Sequence, residues 1–238
     1  MIINVFMLDR IIIAIGGGEL KTKTTLEIDG YIAALANARK KGERANGLFI
    51  GTASHDSMPY FNSFRKTYTS VYNVKVDCAL IVHGEMDVEK ISNKISVADF
   101  IYVGGGDTMF MLDVWKKTGL DKLILQAYKN GTILCGLSAG AICWFEKMFS
   151  DSEFLTSSDE YNIYDGFALI KGVCSPHYNH RKDDFLNALK NIDFTEAYAI
   201  EDNAALVFTN SVLTKSLSSG GSSYKITKEN DTFNVQMI

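Results

Sequence analysis

Chemistry enters this sequence at Gly136-Leu137-Ser138-Ala139-Gly140, a G-x-S-x-G element between a short apolar run and a helical stretch. This is the pattern of a nucleophile elbow, in which a sharp strand-to-helix turn exposes a serine hydroxyl. The small flanking residues let the backbone turn without side-chain overlap. The helix start then turns free N–H groups and the positive end of its dipole toward the serine. A serine hydroxyl is a weak nucleophile and needs a base. Four histidines are available, His55, His83, His177 and His180. His177 is the leading candidate, because Pro176 stiffens the backbone that presents it. A carboxylate must then orient the imidazole and stabilise its charged form. Asp151 and Glu153, in Ser150-Asp151-Ser152-Glu153, both stand between the serine and His177, and spacing alone does not separate them.

Two glycine clusters close other apolar runs. Val103-Gly104-Gly105-Gly106-Asp107-Thr108 could bring backbone N–H groups to a reacting carbonyl oxygen and, with the N–H of Ala139, form an oxyanion hole. Gly16-Gly17-Gly18 continues into Glu19-Leu20-Lys21. That breaks the G-x-G-x-x-G spacing, and no G-K-[ST] follows, so a nucleotide site is set aside. The cysteines at 78, 135, 143 and 174 lack the spacing of a zinc site and are too few for a disulfide scaffold. Neither a metal nor an organic cofactor is expected.

The elements that must position these residues alternate. Residues 10–15, 47–51, 74–82, 99–103 and 131–136 read as buried strands. Helical patterns fill 24–41, 57–69, 87–96, 107–117 and 120–129, and another helix opens at Ala139. Thr24 and Glu27 offer a capping box for the first of these helices. Repeated strand–helix units predict an α/β fold with a mostly parallel central sheet flanked by helices. In the last third, 181–191 is helical and 198–200 and 205–208 are strands. Residues 216–223 form a Ser/Gly loop, and 224–227 with 233–237 form a C-terminal β-hairpin. No repeat or boundary divides residues 1–238, which are read as one domain. The chain carries 24 Lys+Arg against 28 Asp+Glu, a net charge of −4, with 47% hydrophobic residues. That balance gives no footprint for nucleic acid or an anionic membrane. No apolar run reaches the ~20 residues of a membrane span, and the N-terminal stretch lacks the basic region of a signal peptide. A cytoplasmic protein is expected.

Together, Gly104-Gly105-Gly106-Asp107-Thr108, Gly136-Leu137-Ser138-Ala139-Gly140-Ala141 and Ser175-Pro176-His177-Tyr178 resemble the dipeptidase E family, whose relatives include the cyanophycinases. The resemblance implies a flavodoxin-like fold of the class I glutamine amidotransferase type, with serine replacing cysteine at the elbow. It implies a serine peptidase acting on short peptides, with a leaning toward acidic N-terminal residues, and a monomer or homodimer. By motif, Ser138 is the nucleophile, His177 the base and Glu153 the acid, with Asp151 in reserve. Gly105 and Gly106 match the oxyanion loop. Asp107, Asn179 and Arg181 are candidates for substrate contact, Arg181 as a bidentate partner for a carboxylate. Two other readings remain. One is a non-catalytic, amidotransferase-like binding or regulatory module that keeps the elbow for packing. The other is an α/β-hydrolase esterase, which places its histidine near the end of the domain, whereas the last histidine here is His180.

Overall fold

The computed structural model describes residues 8–40, 42–83, 87–152, 161–229 and 232–238. Strand β1 (Ile11–Ile15) leads to helix α1 (Leu26–Ala38), β2 (Asn46–Ile50), α2 (Met58–Ser70), β3 (Lys75–Ala79), α3 (Val88–Ser96) and β4 (Phe100–Val103). Helices α4 (Thr108–Thr118) and α5 (Leu120–Lys129) precede β5 (Ile133–Leu137) and the one-turn helix α6 (Ala139–Ile142). Then come β6 (Phe145–Ser150), β7 (Asn162–Asp165), β8 (Ile170–Ser175), α7 (Tyr178–Leu189), β9 (Ala197–Ile200) and β10 (Ala204–Thr209). Strands β11 (Val212–Ser218), β12 (Ser223–Glu229) and β13 (Thr232–Met237) end the described chain.

The strands form two sheets. The first runs β11-β10-β1-β5-β4-β2-β3, and its β1, β5, β4, β2 and β3 are mutually parallel. The expected α/β architecture stands, with β10 and β11 added antiparallel on the β1 side. Strand β1, Ile-Ile-Ile-Ala-Ile, is buried throughout, as a parallel strand covered on both faces must be. Ile11, Ile13 and Ile15 point to one core with α1 and α2, and Ile12 and Ala14 point to the other with α4 and α5. Each of these isoleucine side chains contributes roughly 1.5–3 kcal/mol when fully buried.

The second sheet, β13-β12-β9-β8-β6-β7, is a feature that reading the sequence as one central sheet misses. The helix expected from Ala139 stops at Ile142, and the chain runs out into β6, which pairs with β8 and β7. Trp144 and Phe145 are fully buried and stack among Trp115, Phe167, Tyr198 and Phe208. Burying these aromatics outweighs propagating a helix. The stretch 216–223 is also less of a loop than its Ser/Gly content suggests: β11 runs through Ser218 and β12 starts at Ser223. The C-terminal hairpin forms as β12 and β13, antiparallel from Tyr224–Met237 to Glu229–Thr232.

Helix α1 departs from the capping-box expectation. Its N-cap is Thr25, which makes no side-chain cap bond, while the Thr24 hydroxyl accepts from the Glu19 N–H at 2.9 Å. The Thr25 hydroxyl instead donates to Asp29 at 2.8 Å, and Tyr68 donates to the other oxygen of that carboxyl at 2.9 Å. Asp29 is fully buried among aromatics, and desolvation pushes its pKa up to about 7 despite these two bonds. Between about pH 4 and 7 the native state therefore binds a proton that the unfolded chain does not, so stability falls as pH rises through this window. In urea unfolding, Asp29→Asn should match the native protein at pH 4. It should exceed it at pH 8 by on the order of 3 kcal/mol. A gap that did not change with pH would show that Asp29 ionises normally.

Candidate active site

Three consecutive carbonyls at the end of β1 organise the site. The Ile15 carbonyl accepts from the Ser138 N–H at 2.9 Å, that of Gly16 from the His177 N–H at 3.1 Å, and that of Gly17 from the Asn203 N–H at 3.0 Å. These bonds bring together the turn after β5, the start of α7 and the connection between β9 and β10. The glycine cluster at 16–18, without a role in the sequence reading, is thus the common edge on which the site is hung. Gly17 must be glycine here, because a Cβ would overlap both the Asp202 carboxylate and the His177 imidazole.

Ser138 sits at φ 52°, ψ −112°, between β5 and α6, the sharp strand-to-helix turn expected of a nucleophile elbow. His177 is also left-handed, φ 50°, ψ 38°, directly before α7. Non-glycine residues adopt positive φ uncommonly, and Ser138 and His177 are two of the ten described non-glycine residues that do so. The His177 Nε2 lies 2.9 Å from the Ser138 Oγ, and its Nδ1 lies 2.6 Å from the Asp202 Oδ1. The structure thus aligns a hydroxyl, an imidazole and a carboxylate in hydrogen-bonding order.

The carboxylate on His177 is one the sequence reading passed over. Asp202 falls in Glu201-Asp202-Asn203, the polar break between two apolar strands. An acid at that strand end was the available signal. Glu153 lies outside the described residues. Asp151 is engaged elsewhere: both its oxygens accept from Arg181 at 3.1 Å, and Arg181 also lies 4.9 Å over the Tyr161 ring. Asn179 clamps Asp202 rather than facing open space. Its side-chain amide donates to the Asp202 Oδ2 at 3.2 Å and its carbonyl accepts from the Asp202 N–H at 3.1 Å. His180 stands 3.3 Å from the same Oδ2. Asp107 caps α4, accepting from the Phe110 N–H at 3.0 Å and from the Ser152 hydroxyl. His55 stacks on Phe110, and His83 offers its backbone N–H to Asp56.

A cleft of about 380 Å³ opens beside Ser138 and His177. Its other lining groups include Glu19, Lys21, Tyr60 and the Gly105-Gly106 loop, whereas Asp107, Asn179 and Arg181 do not line it. The N–H groups of Gly106 and Ala139 have no hydrogen-bond partner among the described residues, but that of Gly105 donates to the Tyr60 hydroxyl at 3.3 Å. Burial lowers the His177 pKa, and its bond to Asp202 offsets part of that effect. For Asp202 burial acts upward, but the bonds from His177 and Asn179 outweigh it and leave the carboxylate below its ordinary value. A neutral imidazole beside an ionised carboxylate can accept a proton from a hydroxyl and hold it. Among the described residues no three His, Cys, Asp or Glu side chains cluster to hold a metal, and no helix is long and apolar enough to cross a membrane.

The sequence model described as "Peptidase family S51" matches residues 12–215. The chain is 34% identical over 221 residues to the uncharacterized peptidase YgaJ of Bacillus subtilis, covering 90% of this chain and 91% of that one. It is 37% identical over 93 residues to the uncharacterized peptidase Lmo0363 of Listeria monocytogenes, 38% of this chain and 45% of the relative. Among solved structures, a peptidase from an acI-B1 actinobacterium superposes with a TM-score of 0.70 at 19% identity, covering 98% of this chain and 95% of that one. A putative peptidase E protein from Listeria monocytogenes superposes at 0.63 and 22%, covering 88% and 98%. These two structures share the fold.

The His–Asp contact is testable without any substrate. In a ¹⁵N NMR titration, His177 should lose its proton below the usual histidine value. Asp202→Asn should move that transition lower still, since the carboxylate is what supports the charged ring. Gly17→Ala should do the same by displacing the pair. A His177 transition unmoved in both variants would remove Asp202 from the imidazole.

Proposed function

The chain belongs to peptidase family S51, and on that footing we propose that it is a serine peptidase of short peptides whose triad is Ser138, His177 and Asp202. The observation that carries this reading is the continuous hydrogen-bonded row from the Ser138 Oγ through both ring nitrogens of His177 to Asp202. His177 Nε2 takes the hydroxyl proton as Ser138 Oγ attacks the peptide carbonyl. Asp202 stabilises the imidazolium that forms. The oxyanion sits between the free N–H groups of Gly106 and Ala139, where fixed donors meet charge as it develops. The imidazolium then protonates the leaving amine, and water repeats the sequence on the acyl-enzyme to release the acid and restore Ser138.

The charges of the cleft favour a short peptide with free ends. Among the described residues that line it, the ionised side chains are one carboxylate, Glu19, and one ammonium, Lys21. They complement the amino and carboxylate groups of a small zwitterion. An acidic N-terminal side chain would have Lys21 as its partner, since Arg181 is paired with Asp151. All four cysteines are free thiols, which fits a reducing compartment such as the cytoplasm.

The first experiment is labelling with a fluorescent fluorophosphonate together with a dipeptide hydrolysis screen. Ser138→Ala and His177→Ala should abolish labelling, and hydrolysis should fall by several orders of magnitude. Asp202→Asn should cost on the order of 10⁴-fold in kcat. Glu153→Gln and Asp151→Asn should stay within a few-fold of the native enzyme. The opposite ranking would hand the acid's role to the 151–153 segment. Because burial holds His177 below its ordinary value, kcat/KM should stay level as pH is lowered through 6.5 and decline only beyond it.

A further inference from the structure

We infer that the hydroxyl of Tyr60 is a catalytic oxyanion donor, completing the anion site formed by the N–H groups of Gly106 and Ala139. The inference rests on the serine-peptidase reading above and assigns a further residue to it. Its starting point is the Gly105 N–H, which would itself be an oxyanion donor by sequence motif but which donates to the Tyr60 oxygen at 3.3 Å. A phenol carries one donor and two acceptor sites. With an acceptor site engaged by Gly105 and no acceptor for its own proton among the described residues, the O–H is left to turn into the cleft that Tyr60 shares with Ser138.

Gly105 ties this hydroxyl to the reacting atom. A Cβ built on Gly105 would stand 3.3 Å from the Ser138 Cβ and 3.1 Å from the Leu137 carbonyl oxygen, so its backbone runs directly beside the nucleophile. The Tyr60 oxygen is therefore one hydrogen bond away from the chain that flanks Ser138. Gly105 acts on the reaction through Tyr60, since an N–H donated to a hydroxyl strengthens that hydroxyl as a donor in turn.

The tyrosine is also held rigidly, as a donor that must not reorganise during the reaction should be. It lies in the first turn of α2, where the Ser57 side chain accepts from its N–H at 3.4 Å and Pro59 precedes it. Its ring meets Phe49 edge-on at 5.1 Å. On the other side it packs on Gly104, where a Cβ would approach the Tyr60 Cε1 to 2.9 Å. Burial raises its pKa to about 12 although the Gly105 bond pulls it down, so the phenol keeps its proton across the working range. A tyrosine needed only to fill this space would be served as well by phenylalanine, because the ring contacts are apolar.

The test uses 4-nitrophenyl acetate as substrate and phenylboronic acid, which forms a tetrahedral adduct on an active serine. Tyr60→Phe should lower kcat by about 10²–10³-fold, the range for loss of one oxyanion donor, with KM within about threefold of native. Affinity for the boronate should fall in parallel. Fluorophosphonate should still label Ser138 to the native stoichiometry, only more slowly, which shows the fold and the Ser138–His177 pair intact. Gly104→Ala, which displaces the hydroxyl without removing it, should give a smaller loss in the same direction. Native kcat in both variants, or a loss confined to KM, overturns the assignment. Failure of the unsubstituted protein to label at Ser138 would instead overturn the serine reading, and the Tyr60 assignment would fall with it.

Discussion

The site depends on the end of one strand. At the end of β1 and just beyond it, the carbonyls of Ile15, Gly16 and Gly17 each accept one backbone N–H, from Ser138, His177 and Asn203. Backbone hydrogen bonds of this kind are modest singly, about 1 kcal/mol net, but they set three separate chain segments in register with one another. Ser138, His177 and Asp202 lie as much as 64 residues apart in sequence, yet the segments that carry them are each fixed to one of three successive positions at and just beyond the end of β1. The strand is rigid because both its faces are buried in apolar packing.

The same edge explains why backbone geometry is unusual where the chemistry is. Ser138 and His177 both hold left-handed conformations, which cost free energy and survive only when their surroundings over-determine them. Here the surroundings are the β1 carbonyls on one side and the packed starts of α6 and α7 on the other. Gly17 has no side chain because the His177–Asp202 contact occupies the space a Cβ would need. Asp202 is in turn held from the far side by Asn179 and His180, which share its second oxygen. A carboxylate with three partners is a fixed charge, and a fixed charge is what an imidazole gaining a proton requires.

Around this centre the molecule uses two sheets for two tasks. The first sheet supplies the strand ends and the loop of Gly105 and Gly106. The second supplies His177, which follows β8, and Asp202, which follows β9. The cleft beside Ser138 is bounded by the first turn of α2 and the segment after β1, so its charges come from Glu19 and Lys21. Arg181 and Asp151 neutralise one another outside it.

Much of this was legible in the residues. Apolar runs closed by glycines marked β1, β2, β4 and β5, because a parallel strand buried on both faces has to be uniformly apolar and its connection has to turn sharply. The G-x-S-x-G element located Ser138 because the elbow is a local structure with local steric needs. Pro176-His177 was readable for the same reason. The second sheet was not readable as such, since whether Trp144-Phe145 continues a helix or enters a strand depends on which aromatics await it from β9 and β10. Nor was the partner of His177. Asp151, Glu153 and Asp202 are each an acid in a polar stretch, and the strand end that distinguishes Asp202 does not by itself point to His177. Only the meeting of the β9–β10 connection with Gly17 puts Asp202 against the ring and Asp151 against Arg181. Residue types dictate the local geometry that each segment can adopt. Which segments share a hydrogen-bonded edge was decided by tertiary structure, because that edge is built from backbone carbonyls, which are the same in every residue and leave no mark on the sequence.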